Sequence, residues 1–177
     1  MEKTIGVYIC SGSEIGESLN VEKLAQVAQR KGGQVVKTHP CLCGEEGHDL
    51  IAGDIKNEGV NTVVIAACSA RTMTDAFRLD VPILERVNLR EHVAWSHEPN
   101  DEHTQQLAED YLLMGIVRVQ KTSPPEPNIQ EISKVVLVVG GGITGVSAAL
   151  DAAEAGSEVV LIEKSPKLGG WLAGALK

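Results

Sequence analysis

The chain is poor in aromatic residues. Two Trp, two Tyr and one Phe make up 3% of its 177 residues, so the core that its 43% hydrophobic content supports must be aliphatic. Positive charge is short as well. Sixteen Lys and Arg stand against 24 Asp and Glu, a formal net charge of −8, with an isoelectric point near 5.1. Little in that balance would neutralise a phosphate backbone, so no nucleic-acid partner is expected. No apolar run reaches the roughly 18 residues of a bilayer span. The opening Met-Glu-Lys-Thr moves straight into a strand-like run without the apolar stretch of a secretory signal, which predicts a cytoplasmic protein. Cysteine is limited to four residues. In a reducing compartment these are expected as ligands or reactive thiols rather than disulfides. Internal repeats, low-complexity runs, a nucleophile–base pair and the paired carboxylates of a catalytic motif are all missing.

What is present is an alternation of strand and helix signals, broken once. Thr122-Ser123-Pro124-Pro125-Glu126-Pro127-Asn128 places three prolines within four residues, which suits a semi-rigid extended spacer and neither helix nor central strand. The expected organisation is an α/β domain over 1–121, a Pro-rich linker over 122–133 and a βαβ fragment over 134–177. Strands are predicted at Thr4–Cys10, Gln34–Thr38 and Asn61–Ala67, and a fourth between Val81 and Val87, where Pro82 confines pairing to the later residues. Helices are predicted from Asn20, a good N-cap, to Gly32-Gly33, from Gly47 to Asn57, and from Asp101 to Lys121, the last with Leu107, Tyr111, Met114 and Val117 or Arg118 on its apolar stripe. The fold class is α/β: a three-layer, parallel-sheet domain followed by an incomplete Rossmann-type unit. That unit comprises a strand at Lys134–Val139, a helix from Ile143 to Ala155 and a strand at Ser157–Glu163.

Between the first two of these elements lies Gly140-Gly141-Gly142-Ile143-Thr144-Gly145, a G-x-G-x-x-G turn directly after a strand and opening a helix. Gly140 permits the tight turn, Gly142 lets backbone approach a pyrophosphate, and Gly145 lets helix pack on strand. The N–H groups at the helix start, with Ile143 and Thr144 among them, then face an anion. Glu163 ends the second strand, where an acid accepts bonds from both ribose hydroxyls and disfavours a 2′-phosphate. The continuation Glu163-Lys164 to Gly169-Gly170 resembles the adenine–ribose end of the FAD-binding half of thioredoxin-reductase and amine-oxidase type flavoproteins. That resemblance implies FAD rather than NAD, held in part by Lys164 and the Gly169-Gly170 backbone. A complete flavin domain of that type needs well over a hundred further residues. The expectation is therefore that this chain is a piece of a longer protein or is completed by another subunit.

The cysteines sit at comparable places. Cys10 ends the first predicted strand, Cys41 and Cys43 follow the second, and Cys68 follows the third. Successive strands of a parallel sheet end on the same edge, so topology alone brings four thiols to one rim. Four cysteinates suit an iron–sulfur cluster or a structural zinc. The spacing matches no ferredoxin or zinc-finger pattern, and buried cysteines serving only as small hydrophobes remain an alternative.

The segments Gly6-Val7-Tyr8-Ile9-Cys10, Cys43-Gly44-Glu45-Glu46-Gly47, Val63 to Arg71 (Val-Val-Ile-Ala-Ala-Cys-Ser-Ala-Arg) and Val87 to His97 (Val-Asn-Leu-Arg-Glu-His-Val-Ala-Trp-Ser-His) resemble the N-terminal domain of the heterodisulfide reductase A-subunit family. The likeness continues through the Pro-rich linker into Val138-Val139-Gly140-Gly141-Gly142-Ile143-Thr144-Gly145 and covers essentially the whole chain. It implies an electron-transfer subunit of a multi-subunit oxidoreductase, with FAD and a 4Fe–4S cluster and with other subunits as partners. Pairing of two copies is left open. Family members usually read Cys-His-Cys-Gly at the first site, where this chain has Cys10-Ser11-Gly12-Ser13. One thiol is lost, and Cys41 would replace it, giving Cys10, Cys41, Cys43 and Cys68 as the implied ligands. The competing readings are a metal-free docking module of such a complex and an NAD-binding domain.

Arg71, close after Cys68, is a candidate donor to cluster sulfides or an ordinary ion-pair partner. His39 is a weaker candidate for a fourth ligand. Trp95 and His97 are expected to pack a sheet edge, and Asp101-Glu102 to complement the dipole of the long helix.

Overall fold

The computed structural model describes residues 2–131 and 133–175. Met1, Ile132, Leu176 and Lys177, on which the outer ends of the two expected domains and one linker position fall, lie outside the described residues. The chain divides into two units, Met1–Pro125 and Glu126–Lys177.

In the first unit β1 (Ile5–Cys10), β2 (Val35–His39), β3 (Thr62–Ala67) and β4 (Ile83–Asn88) form one parallel sheet in the order β2-β1-β3-β4. β1 and β3 are central, and every residue of both is buried. This is why their sequences run apolar on both faces. β4 starts only at Ile83, because Pro82 has no N–H to give the ladder. The helices are α1 (Ile15–Ser18), α2 (Val21–Arg30), α3 (Glu45–Asn57) and α4 (Glu102–Lys121), with a π-helical turn at Arg90–Ala94.

Register assigns the layers. Tyr8 pairs with Lys37 across β1 and β2. The Tyr8 hydroxyl donates to Asp54 Oδ2 at 3.1 Å and Lys37 Nζ meets Asp54 Oδ1 at 2.5 Å, so α3 covers that face. Burial, then the Asp54 carboxylate, hold the Tyr8 phenol far above its ordinary pKa. Val7 pairs with Val64 on the opposite face. There a Cβ on Gly115 would collide with Val87 beside Val64, which places α4 against β3 and β4 with α2 packed alongside it. The domain is thus three-layered, helix over sheet over helix.

Local chemistry sets the helix ends. Asn20 Oδ1 accepts from Lys23 N at 2.9 Å and caps α2, worth about 1 kcal/mol. Asp101 Oδ2 accepts from His103 N and Thr104 N at 2.8 and 3.1 Å and caps α4. Lys3 Nζ donates to the carbonyls of Val119, Gln120 and Thr122 at 2.8, 2.6 and 2.7 Å, filling acceptors that the end of α4 leaves open. The buried stripe of α4 differs from the expected one. It runs through Thr104, Gln105, Ala108, Glu109, Leu112, Gly115, Ile116 and Val119, while Met114 is 55% exposed and Val117 40%. Gln105 and Glu109 tolerate burial because they are partnered: Gln105 Oε1 accepts from Asn20 N at 2.8 Å, and Glu109 pairs with Lys23 at 3.0 Å. Among the described residues no helix is long and apolar enough to cross a membrane.

The second unit has β5 (Val135–Val139), α5 (Ile143–Glu154), β6 (Glu158–Ile162) and a six-residue α6 (Gly170–Ala175). β5 and β6 pair in parallel from Val135↔Glu158 to Val139↔Ile162. No residue of α5 is buried, and Val139 is 78% exposed. A two-stranded βαβ unit leaves most of its aliphatic strand surface uncovered.

Candidate functional site

In the sheet order β2-β1-β3-β4 the connections leave β1 and β3 toward opposite sides. A crevice therefore opens beyond their carboxyl ends, the general ligand position of open α/β sheets. Cys10 is the last residue of β1 and Cys68 follows β3 directly. The β2–α3 loop brings Cys41 and Cys43 over the same edge. All four sulfurs are free thiols, and all four residues line one cavity of about 160 Å³. Ile15, Leu42, Met73 and Phe77 supply apolar walls, and Arg90 brings a cation.

The loops are held by backbone geometry. A Cβ on Gly12 would strike the Pro40 carbonyl, and one on Gly47 would strike Cys41 and Leu42, so the loop lies directly on the start of α3. Ser11 N donates to His39 O at 3.0 Å, and the Cys10 thiol reaches Pro40 O at 3.6 Å. The Cys41 and Cys43 sulfurs are 3.7 Å apart. Burial, then the bond and charge of Cys41, push the Cys43 thiol up. Among the described residues no three His, Cys, Asp or Glu side chains are grouped so as to hold a metal ion.

The glycine-rich turn of the second unit is built as its spacing requires. Gly140 has φ +105°, reachable at low cost only by glycine, and a Cβ on Gly145 would run into the Gly140 carbonyl oxygen. Gly142 caps α5 in extended conformation. Gly140, Gly142, Ile143, Thr144, Gly145 and Gly169 line a cavity of about 650 Å³, at the helix end whose first N–H groups lack helical partners. Glu163, Lys164 and Gly170 are not among its walls. Glu163 instead fastens the turn: Oε2 accepts from Gly141 N at 2.6 Å and Oε1 from Ser165 N at 2.8 Å. The Ser165 and Gly141 N–H bonds hold its carboxyl below the usual carboxylate range. Gly169 N donates to Gly141 O at 2.7 Å, and Gly170 packs beside the Gly142 Cα. The second glycine pair therefore braces the first turn.

Residues 136–177, the bulk of this unit, match the family model described as FAD dependent oxidoreductase. The whole chain is similar to curated proteins of archaea. A protein of Archaeoglobus profundus named as like the heterodisulfide reductase A subunit is 36% identical over 97% of this chain and 26% of its own length. The second of two iron-sulfur A subunits of CoB–CoM heterodisulfide reductase in Methanopyrus kandleri is 34% identical over 97% of this chain and 28% of its own. The corresponding iron-sulfur A subunit of Methanocaldococcus jannaschii is 33% identical over 100% of this chain and 28% of its own. Over nearly its whole length the chain is similar to heterodisulfide reductase A subunits. It spans about a quarter of the length of these relatives.

The charged groups at the cysteine rim differ from those anticipated. Arg71 is exposed and does not line the cavity; among the described residues its backbone N donates to Ser69 Oγ at 3.2 Å. His39 Nδ1 accepts from Cys41 N at 3.0 Å, and its Nε2 lies 3.9 Å from Glu46, so the ring braces the loop rather than facing the sulfurs. Trp95 does not pack a sheet edge. It is 54% exposed and its ring stacks on the Arg90 guanidinium at 4.6 Å.

Two arginines that the sequence pattern does not single out meet the cysteines: Arg90 lines the cavity and Arg86 reaches Cys68 from outside it. Arg90 Nη2 pairs with Glu91 Oε1 at 2.7 Å, and Glu91 Oε2 accepts from Ser69 N at 2.8 Å, tying the Cys68 loop to the π-helical turn. Burial opposes the Arg90 charge, but Glu91, with smaller effects from Cys68 and Cys10, outweighs it and raises the pKa. Burial likewise raises the Glu91 pKa, and the Arg90 and Ser69 bonds more than reverse this, leaving it lowered. Arg86 of β4 reaches Cys68 itself, with Nη2 3.2 Å from the sulfur. No local signal marks either: Arg86 lies within β4 and Arg90 just beyond it, and both gain their place only because β4 pairs with β3.

Proposed function

We propose that this chain is the cluster-bearing and flavin-entry portion of a heterodisulfide reductase-type flavoprotein subunit. It takes part in electron transfer between FAD and a 4Fe–4S cluster within a multi-subunit complex. The observation that carries this reading is the gathering of four free thiols, from the ends of three strands, around one cavity. Cys10, Cys41, Cys43 and Cys68 would hold the cluster, and their chemistry fits it: four thiolate donors, apolar walls and an adjacent guanidinium offset the negative charge of an iron–sulfur centre. A single zinc ion needs all its sulfurs within about 2.3 Å of one point. A cluster instead spreads its four ligands over separate irons. When bound, the cluster supplies one-electron transfer at low reorganisation.

The chain's own residues do the remainder. Leu42, Phe77 and Ile15 wall the cavity with apolar surface, Cys10 and Cys68 are buried in it, and Arg90 holds positive charge beside those two. In the second unit Gly140, Gly142 and Gly145 with the amides of Ile143 and Thr144 would receive the FAD pyrophosphate. Ionised Glu163, which fixes the Gly141 amide, retains lone pairs for ribose hydroxyls; Lys164, Gly169 and Gly170 complete that edge. Residues 1–121 and 134–177 act as the two domains, joined by the 122–133 spacer. The partners are further subunits of such a complex, and the setting is the cytoplasm.

The test is anaerobic reconstitution of the chain with iron and sulfide, followed by metal analysis and EPR of the reduced protein. About four irons per chain and a reducible S = 1/2 signal are expected, both lost in Cys68→Ser. A folded protein that takes up no iron would favour a metal-free docking role, and one that takes up a single zinc would replace the cluster. For the flavin half, calorimetry on the longer protein should show FAD binding and indifference to NADH; the reverse result would make this an NAD domain.

A further inference from the structure

We infer that Arg86 is a positioning residue for the cysteine site, holding the Cys68 sulfur as a ligand and making the bound centre easier to reduce. The inference rests on the cluster reading above and concerns a residue outside the proposed ligand set. Arg86 lies on β4, the neighbour of β3, with Ile65 as its register partner. That position carries its guanidinium to the carboxyl end of β3. There Nη2 lies 3.2 Å from Cys68 Sγ, 3.3 Å from Cys68 O, 3.0 Å from Ser69 O and 3.3 Å from Thr72 O. One nitrogen with two hydrogens faces four acceptors, so the bonds are shared. A thiolate would command the largest part of them, because charge-assisted bonds outweigh neutral ones.

The rest of the group is set for the same purpose. The guanidinium carbon lies 4.2 Å above the Phe77 ring centroid, a cation–π seat that fixes the plane. Phe77 is itself a wall of the cysteine cavity. Among the described residues, buried Arg86 Nε has no hydrogen-bond partner. Arg86 does not itself line the cavity; it sets a fixed positive charge against the Cys68 sulfur from the β4 side. Each electron added to the centre raises its negative charge, so a nearby cation and an N–H···S bond favour the reduced form. Removing them must lower the potential.

The experiment uses the whole chain, reconstituted anaerobically, as wild type, Arg86→Gln and Arg86→Lys, with EPR-monitored redox titration, iron content and thermal melting of the cluster-free protein. Arg86→Gln is expected to fold, and its preference for the reduced form to fall roughly tenfold, a potential lower by about 59 mV. Arg86→Lys, which keeps the charge but not the planar fork, is expected to recover part of that shift. Equal potentials in wild type and Arg86→Gln overturn the inference. If Arg86→Gln takes up too little iron to titrate, Arg86→Lys decides: a potential below wild type supports the role, and an unchanged one overturns it. A wild-type chain that takes up no iron sinks the cluster reading and this inference together. That failure is distinguishable because it appears before any substitution is made.

Discussion

Glu91 does its work with both carboxylate oxygens, one on Arg90 and one on the Ser69 amide. Glu91→Gln keeps the shape and loses the charge, so at neutral pH it should cost about 1–3 kcal/mol, the range for a charge-assisted bond in a partly buried site. The pH dependence follows from the direction of the shift. The native carboxyl is held below its ordinary value, so the unfolded chain binds the proton more readily and stability rises with pH through the acid range. The wild-type advantage is complete above the ordinary carboxylate pKa and disappears as pH falls through the lowered native one. Urea unfolding of wild type and Glu91→Gln at pH 7 and in acid checks this, and a pH-independent difference would refute it. Gly145→Ala makes a second prediction at this scale. Its methyl group has no room beside the Gly140 carbonyl. The turn must open, and NMR amide shifts from Gly140 to Thr144 should move together while those of β1 and β3 stay in place.

At the scale of elements, α4 separates what sequence periodicity can say from what it cannot. Met114 and Val117 look as good as Ile116 on a helical wheel, yet they face solvent while Gln105 and Glu109 lie inside. The reason is long-range: Asn20 and Lys23, from the start of α2, satisfy the two polar side chains. No local pattern records that. β1 and β3 were legible because a central parallel strand is apolar on both faces. Arg86 and Arg90 were not, because their importance depends on β4 lying beside β3. Two substitutions test the observed stripe. Gly115→Ala adds a methyl against Val87 and should destabilise by about 1–3 kcal/mol despite alanine's better helix propensity. Met114→Ala should stay within about 0.5 kcal/mol, as exposed positions do. Thermal melts in parallel compare them, and the reverse order would mean that the expected stripe is the true one.

For the whole molecule, the two units differ in kind. The first buries an aliphatic cluster from Ile5 to Val119 around a four-stranded sheet. The second pairs two strands alone, and strands of that number are marginal in water. Hydrogen exchange should therefore show β1 and β3 amides protected close to the global limit and β5 and β6 amides exchanging orders of magnitude faster. Comparable protection in both would contradict the open character of the second unit. The gathering of the cysteines is also a whole-molecule property. It needs β1, β2 and β3 to run the same way, which the alternation of strand and helix signals makes readable. The placement of charge around the sulfurs needs side-chain paths that it does not.

The stacking of Trp95 on Arg90 gives the protein a built-in optical gauge. Only two tryptophans are present, and Trp171, the other, is 85% exposed in the second unit. With Trp171→Phe, all indole emission would come from a ring one guanidinium removed from the thiol rim. Loading that rim with an absorbing metal centre should then dim the fluorescence in step with iron uptake, following site filling in real time without a spin label or an added dye.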